Sequence, residues 1–185
     1  MMKGKLRMTF WQRLRGHTTT VLRHKHAVFV HCCRAGIPLQ GLLHDLSKFS
    51  PTEFIPGVKY YQGYRSPNEK EREEIGLSYA WIHHKGRNAH HYEHWTDYNL
   101  QTHSLEPVKM PLKYVKEMFC DRVAASKIYK GNEYTDSMPA EYFNKRTVHD
   151  DMAPQTAELL GRLLDMLAEK GEDETFAYIR KLKKY

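Results

Sequence analysis

The sequence predicts an all-α fold, a compact single-domain helical bundle. Apolar residues recur at helical spacing through most of the chain, and no stretch alternates apolar and polar residues between turn signals as a strand would. Start and stop signals, proline at a first turn and glycine past an end, divide the pattern into helices. At 185 residues with 41% hydrophobic content, the chain is long enough to close a core. No repeat or low-complexity tract divides it, so 1–185 is expected as one domain. Its chemistry is expected over about 20–130 and further helices over about 139–185.

A first helix is expected from about Phe10 to Ala35, closed by Gly36 and followed at Pro38 by a second that carries Leu42, Leu43, His44, Asp45 and Leu46. The spacing of Leu42, Leu43, Leu46 and Phe49 predicts that they bury this second helix. Ser50-Pro51-Thr52-Glu53 reads as a capping box that opens a third helix, short or bent because Pro56 and Gly57 follow. Ser66-Pro67-Asn68-Glu69 opens a fourth, expected to continue to about Lys85. The segment Gly86 to Met110 is polar, histidine-rich and irregular. Pro111 opens a strong helix, Met138 to Arg146 suits a short one, and "PQTAELLGRLLDMLAEKG" is amphipathic up to Gly171, with Asp173 as the cap of a final basic helix.

The net charge of +7 favours an anionic partner: a small substrate such as a nucleotide, or nucleic acid. Much of the excess lies in the ends "MKGKLRMTFWQRLR" and "YIRKLKKY", where it serves equally well to solvate helix surfaces. No apolar run reaches the length of a membrane span, and "MMKGKLRMTFWQRLRGH" lacks the apolar segment of a signal peptide. Cys32, Cys33 and Cys120 form no CxxC pair and read as buried thiols of a reducing compartment. A cytoplasmic protein with no membrane partner is the expectation; the oligomeric state is left open.

Five of the twelve histidines lie within "HHKGRNAHHYEH", His83 to His94. Neutral imidazole is the commonest protein ligand for zinc, iron, nickel and related ions, so clustering points to metal. His44 and Asp45 are adjacent, and a charge at the edge of a core needs a partner. His17, His24 and His31 fall on one helical stripe with Val21 and Val28, where a hydrogen-bonded core histidine is the common outcome and a ligand the alternative. Asp121 stands mid-helix among Cys120, Val123 and Ala124, where it needs a strong partner, Arg122 or Lys127 if not a metal.

The order His24, His44-Asp45, two His-His pairs and Asp121 resembles the HD-domain superfamily of metal-dependent phosphohydrolases. "HKHAV", "LLHDLSK" and "CDRVAAS" match the local texture of its three motifs. The resemblance implies that His24, His44, Asp45 and Asp121 hold one divalent ion, Mn, Fe, Ni, Co, Zn or Mg. It also implies that one of His83 and His84 and one of His90 and His91 complete a second site, as in HD-GYP phosphodiesterases and the mixed-valent di-iron oxygenases of the same fold; His26 rivals His24 as first ligand. The glycine-tyrosine-proline signature of cyclic-dinucleotide cleavage is absent. Separately, "HDLSKFSPTEF", "AWIHHKGRNAHHYEHW" and "MPLKYVKEMFCDRVAASK" resemble a small bacterial and phage family known only as a domain of unknown function.

With such a site, metal-assisted hydrolysis of a nucleotide or related phosphoester is the expected reaction. Asp45 and Lys48 are the catalytic candidates, Lys48 by neutralising or protonating the leaving oxygen. Lys85, Arg87 and Asn88 offer donors to a phosphate. Glu93 is expected to orient an imidazole, and Glu117, one turn before Asp121, to do the same or to bind metal itself. The alternatives are an HD-type di-iron oxygenase and a non-enzymatic basic helical module that binds nucleic acid or a partner protein.

Overall fold

Thr9 opens the chain's first helix with a capping box: its hydroxyl accepts the Gln12 N–H at 3.2 Å, and the Gln12 carboxamide accepts the Thr9 N–H at 2.8 Å. The helix so started, α1, spans Phe10–Arg34 and buries His17, Val21, His24, Val28, His31 and Cys32. Gly36, at φ 78°, turns the chain out of it. The computed structural model describes residues 8–145 and 151–185; the basic amino-terminal run and the expected helix end at Arg146 fall partly outside them.

Helix α2, Pro38–Leu43, is shorter than expected. Lys25 of α1 donates to the Leu42 carbonyl at 2.8 Å and the His44 carbonyl at 2.7 Å, so the end of α2 is satisfied from outside rather than by a further turn. Asp45 then adopts φ 54°, a left-handed conformation that aspartate tolerates, and Leu46–Phe49 form a 3-10 turn. The expected burial of Leu42, Leu43, Leu46 and Phe49 is corrected: all four are exposed, because α2 meets α1 through Gly41. A β-carbon at Gly41 would lie 2.6 Å from the Cys32 β-carbon, so only glycine permits this approach.

Helix α3, Pro51–Lys59, starts at Ser50 without a side-chain cap, since Glu53 is turned into the interior; Pro56 lies inside it. The expected long fourth helix is two, α4 at Pro67–Ile75 and α5 at Tyr79–Arg87, divided by Gly76 at φ 82°. Ser78 restarts the helix by accepting the Trp81 N–H at 3.0 Å while donating to buried Glu71. The segment expected to be irregular contains a 3-10 turn at Tyr92–His94 and an antiparallel hairpin, β1 at Thr96–Asn99 and β2 at Ser104–Pro107, with Tyr98 opposite Leu105. Neither face of the hairpin is covered, so it carries no apolar alternation.

Helix α6, Leu112–Lys130, runs against α1; α7, Met138–Lys145, and α8, Pro154–Lys181, complete the bundle. One cluster that includes Val28, Phe119, Val123, Leu160, Leu163, Leu167 and Ile179 joins α1, α6 and α8. Gly171 kinks α8 where the sequence predicts a stop, and Asp173 pairs with Arg34 beyond it. Arg34 and Lys127 both reach Glu172, which ties α1, α6 and α8 together on that side. Cys32 and Cys120 are buried, whereas Cys33 is exposed; all three are unbridged. Among the described residues no helix is long and apolar enough to cross a membrane.

His17 rests its ring on Gly57 and meets Phe54 and Tyr61 edge-on. His31 lies against Phe176, with Nδ1 3.3 Å from the Cys120 carbonyl. Burial first, then Lys48 for His17 and Lys127 for His31, lowers each pKa to about 4. Both rings fold neutral, so the unfolded chain takes up more protons below its histidine pKa of about 6.5. Their contribution is complete above about pH 6.5 and is lost as the pH falls toward 4, by up to about 3 kcal/mol each. Urea unfolding followed from pH 7.5 to 4.5 is expected to show this fall, with a shallower slope in His31→Leu; a midpoint indifferent to pH would contradict it.

Candidate metal centre

The break after α2 aims two adjacent side chains at one point. His44 and Asp45 are both 2% exposed, and the left-handed turn between them lets the imidazole and the carboxylate converge. His44 Nε2 lies 3.1 Å from Asp45 Oδ2. From α1, His24 brings Nε2 to 2.9 Å from Asp121 Oδ1 and 3.9 Å from Asp45 Oδ2. Asp121, on α6, is also 3.7 Å from His44 Nε2. On the other side of Asp45, Oδ1 is 3.3 Å from His84 Nε2 and 3.5 Å from His90 Nε2.

Three groups of donors result: His24, His44 and Asp121 beside Asp45 Oδ2, His84, His90 and His91 about Asp45 Oδ1, and, on the far side of two of these rings, His44 and His90 with Glu117. Of the two histidines considered for the first position, His24 faces the cluster and His26 is exposed. Of the two His-His pairs, the structure turns His84, His90 and His91 inward, while His83 stays at the edge and accepts a hydrogen bond from Arg87.

The other face of the imidazoles is held by carboxylates. His84 Nδ1 donates to Glu53 Oε2 and His83 Nδ1 to Glu53 Oε1, each at 2.7 Å. His44 Nδ1 donates to Glu117 Oε1 at 3.0 Å, and His90 Nδ1 lies 3.1 Å from the same oxygen. A neutral imidazole that gives its Nδ1–H away presents a lone pair at Nε2. In that neutral form, the one a metal ion requires, His44, His84 and His90 point lone pairs at carboxylate oxygens, which are acceptors too. The Nε2 atoms of His44, His90 and His91 and Asp45 Oδ1 are buried without a hydrogen-bond partner. Acceptors gathered about one point and left unsatisfied are costly unless a cation lies among them. The residues fit a divalent ion, and mixed imidazole and carboxylate donors suit borderline transition ions.

The same carboxylates draw a proton to His44, so a metal ion and that proton compete for its Nε2 atom. Burial works against charge on His44, yet Asp45, Glu117 and Asp121 raise its pKa to about 10. Asp45 and Asp121 stay ionised far below the usual carboxylate range despite burial, Asp45 through His44, Lys48 and His84, Asp121 through His24. His91 goes the other way: burial, then His90 and His84, hold it neutral.

Lys48 reaches Asp45 Oδ2 at 2.6 Å. Burial opposes its charge, but Asp45 and Asp121 raise its pKa, so it is a cation. Its side chain is 30% exposed and that of Asp121 18%, which makes these two the open rim of the site. The remaining candidates are placed differently. Lys85 and Arg87 lie on α5 rather than in a turn, and Arg87 is engaged with His83. Asn88 is buried and donates to Ser47 Oγ and the His84 carbonyl, so its amide braces the site. Glu93 lies beside Tyr92, whose pKa burial and Glu93 raise to about 12. The carboxylate that reading as a capping box hides is Glu53; its signal is that Glu53 shares the inward stripe of α3 with Gly57 and Val58.

A family model described as a family of unknown function (DUF5662) matches residues 13–166, which contain every residue of the cluster. No curated protein and no solved structure matches the chain.

Lys25 holds the chain reversal that presents His44. Its replacement in Lys25→Met leaves two carbonyls without that donor and is expected to lower stability by about 1–3 kcal/mol in urea unfolding. An unchanged midpoint would mean that water replaces the ammonium at no cost.

Proposed function

We propose that this chain, which belongs to the DUF5662 family, is a metal-dependent phosphohydrolase acting on a nucleotide or a related small phosphoester. The observation that carries the reading is the Asp45 carboxylate, shared between two groups of imidazoles whose lone pairs point at carboxylate oxygens. His24, His44, Asp45 and Asp121 would hold one ion, and Asp45, His84, His90 and His91 a second. A divalent ion there supplies a Lewis acid that acidifies water and polarises a phosphoryl oxygen.

The chain's own residues account for the rest. Glu53 and Glu117 fix the imidazoles and keep their Nε2 atoms turned inward. Lys48 and Asp121 form the only partly exposed edge of the cluster apart from His24 and His91, so an anion approaching from solvent meets the Lys48 ammonium. With its pKa raised by Asp45 and Asp121, Lys48 acts as a fixed positive charge beside the leaving oxygen rather than as a ready proton donor. The resemblance of "LLHDLSK" and "CDRVAAS" to HD-domain motifs supports the same reaction class.

The test is elemental analysis of the purified protein, followed by a screen of nucleotides and generic phosphoesters with Mn, Co, Ni, Fe and Mg. Turnover is expected with at least one ion, falling at least about 100-fold in Asp121→Ala while the circular dichroism spectrum is unchanged. Stoichiometric iron with a charge-transfer band and no hydrolysis would move the assignment to a di-iron oxygenase. Salt-sensitive nucleic-acid binding with no turnover would leave a binding module.

A further inference from the structure

We propose that Glu117 is a positioning residue that couples the two halves of the site, so that two divalent ions bind there together rather than independently. The inference rests on the metal-site reading above. Glu117 is buried on α6, one turn before Asp121. Its Oε1 alone meets two imidazoles, His44 Nδ1 at 3.0 Å and His90 Nδ1 at 3.1 Å. Those rings lie against each other, 4.4 Å between centroids and tilted by 38°. They serve different halves, His44 with His24 and Asp121 and His90 with Asp45, His84 and His91, and a third grouping of His44 and His90 with Glu117, made through their Nδ1 atoms, is the junction between the halves.

An imidazole offers its Nε2 lone pair inward only while Nδ1 carries the hydrogen and the ring is held in place. One carboxylate oxygen imposes both conditions on one ligand from each half. Filling either half fixes its imidazole against Glu117, and Glu117 is thereby fixed for the other. Ordering needed by both ions is thus met once, by whichever binds first. Glu53 provides the contrast. It holds His84 in one half and His83, which lies outside both groups, so its influence is one-sided.

The experiment compares the full chain with Glu117→Gln and Glu53→Gln. Mn2+ is the probe, titrated calorimetrically with the bound ion counted by elemental analysis, and the protonation and tautomer of each histidine ring are read by 15N NMR of the metal-free proteins. The wild type is expected to bind two ions cooperatively. Glu117→Gln is expected to weaken both by about 10–100-fold and to change the tautomer signals of His44 and His90 together. Glu53→Gln is expected to weaken one ion only and to alter His84. If Glu117→Gln does not fold by circular dichroism, Glu117→Asp, which keeps the charge but not the reach, is expected to give the same paired loss. Weakening of a single ion by the Glu117 variant, or unchanged His90 tautomer signals, would overturn the coupling while leaving the metal site standing. A wild type that binds no divalent ion would overturn both.

Discussion

Lone pairs turned toward lone pairs are the constraint on which the rest of the structure depends. Asp45 and Asp121 face the Nε2 atoms of imidazoles whose Nδ1 atoms are already committed to Glu53 and Glu117. Such an arrangement is unfavourable in isolation, because acceptors such as Asp45 Oδ1 and His90 Nε2 have lost water without gaining a donor. It persists because helices that are stable for other reasons hold it. The apolar cluster of α1, α6 and α8 contains none of these side chains, yet α1 and α6 carry His24, Glu117 and Asp121 as part of their inward faces. Local cost at the site is offset by packing elsewhere, as at strained functional sites generally.

The histidine stripe of α1 shows how little residue type says without its surroundings. His17, His24 and His31 are seven residues apart, similarly buried, on the same face. His17 has aromatic neighbours and a glycine beneath it, His31 a phenyl ring and a backbone carbonyl, and His24 a carboxylate. The first and last are structural, and periodicity alone draws no line between them and His24.

Much of the site is nevertheless legible in the sequence. The order of His24, His44-Asp45, the His-His pairs and Asp121, read through its resemblance to the HD-domain motifs, names the residues, and the helix stops and starts at Gly36, Pro38 and Pro111 divide the elements that bring them together. What the sequence conceals is tertiary in origin. Leu42, Leu43 and Leu46 look like a core stripe, but Gly41 is the true contact with α1, and Lys25 ends the helix from another element. Glu53 matches a cap motif yet turns inward, because two imidazoles compete with a backbone N–H for its oxygens. The hairpin is invisible because a strand with neither face covered needs no alternating pattern.

That hairpin begins a few residues after His90 and His91, and its neck is tied to the segment that carries them. The Trp95 indole donates to the Ala89 carbonyl at 2.7 Å and its ring packs on Tyr114, while the Val108 N–H returns to the Trp95 carbonyl at 2.8 Å. These contacts clamp the neck of the loop, and Leu100 and its neighbours at the tip stand in solvent beyond it. Residues 100–103 lie beyond that clamp and, among the described residues, hydrogen-bond only within the hairpin. The same clamp makes the tip a natural anchoring point for a fluorophore or surface tether that reports on the molecule without touching its chemistry.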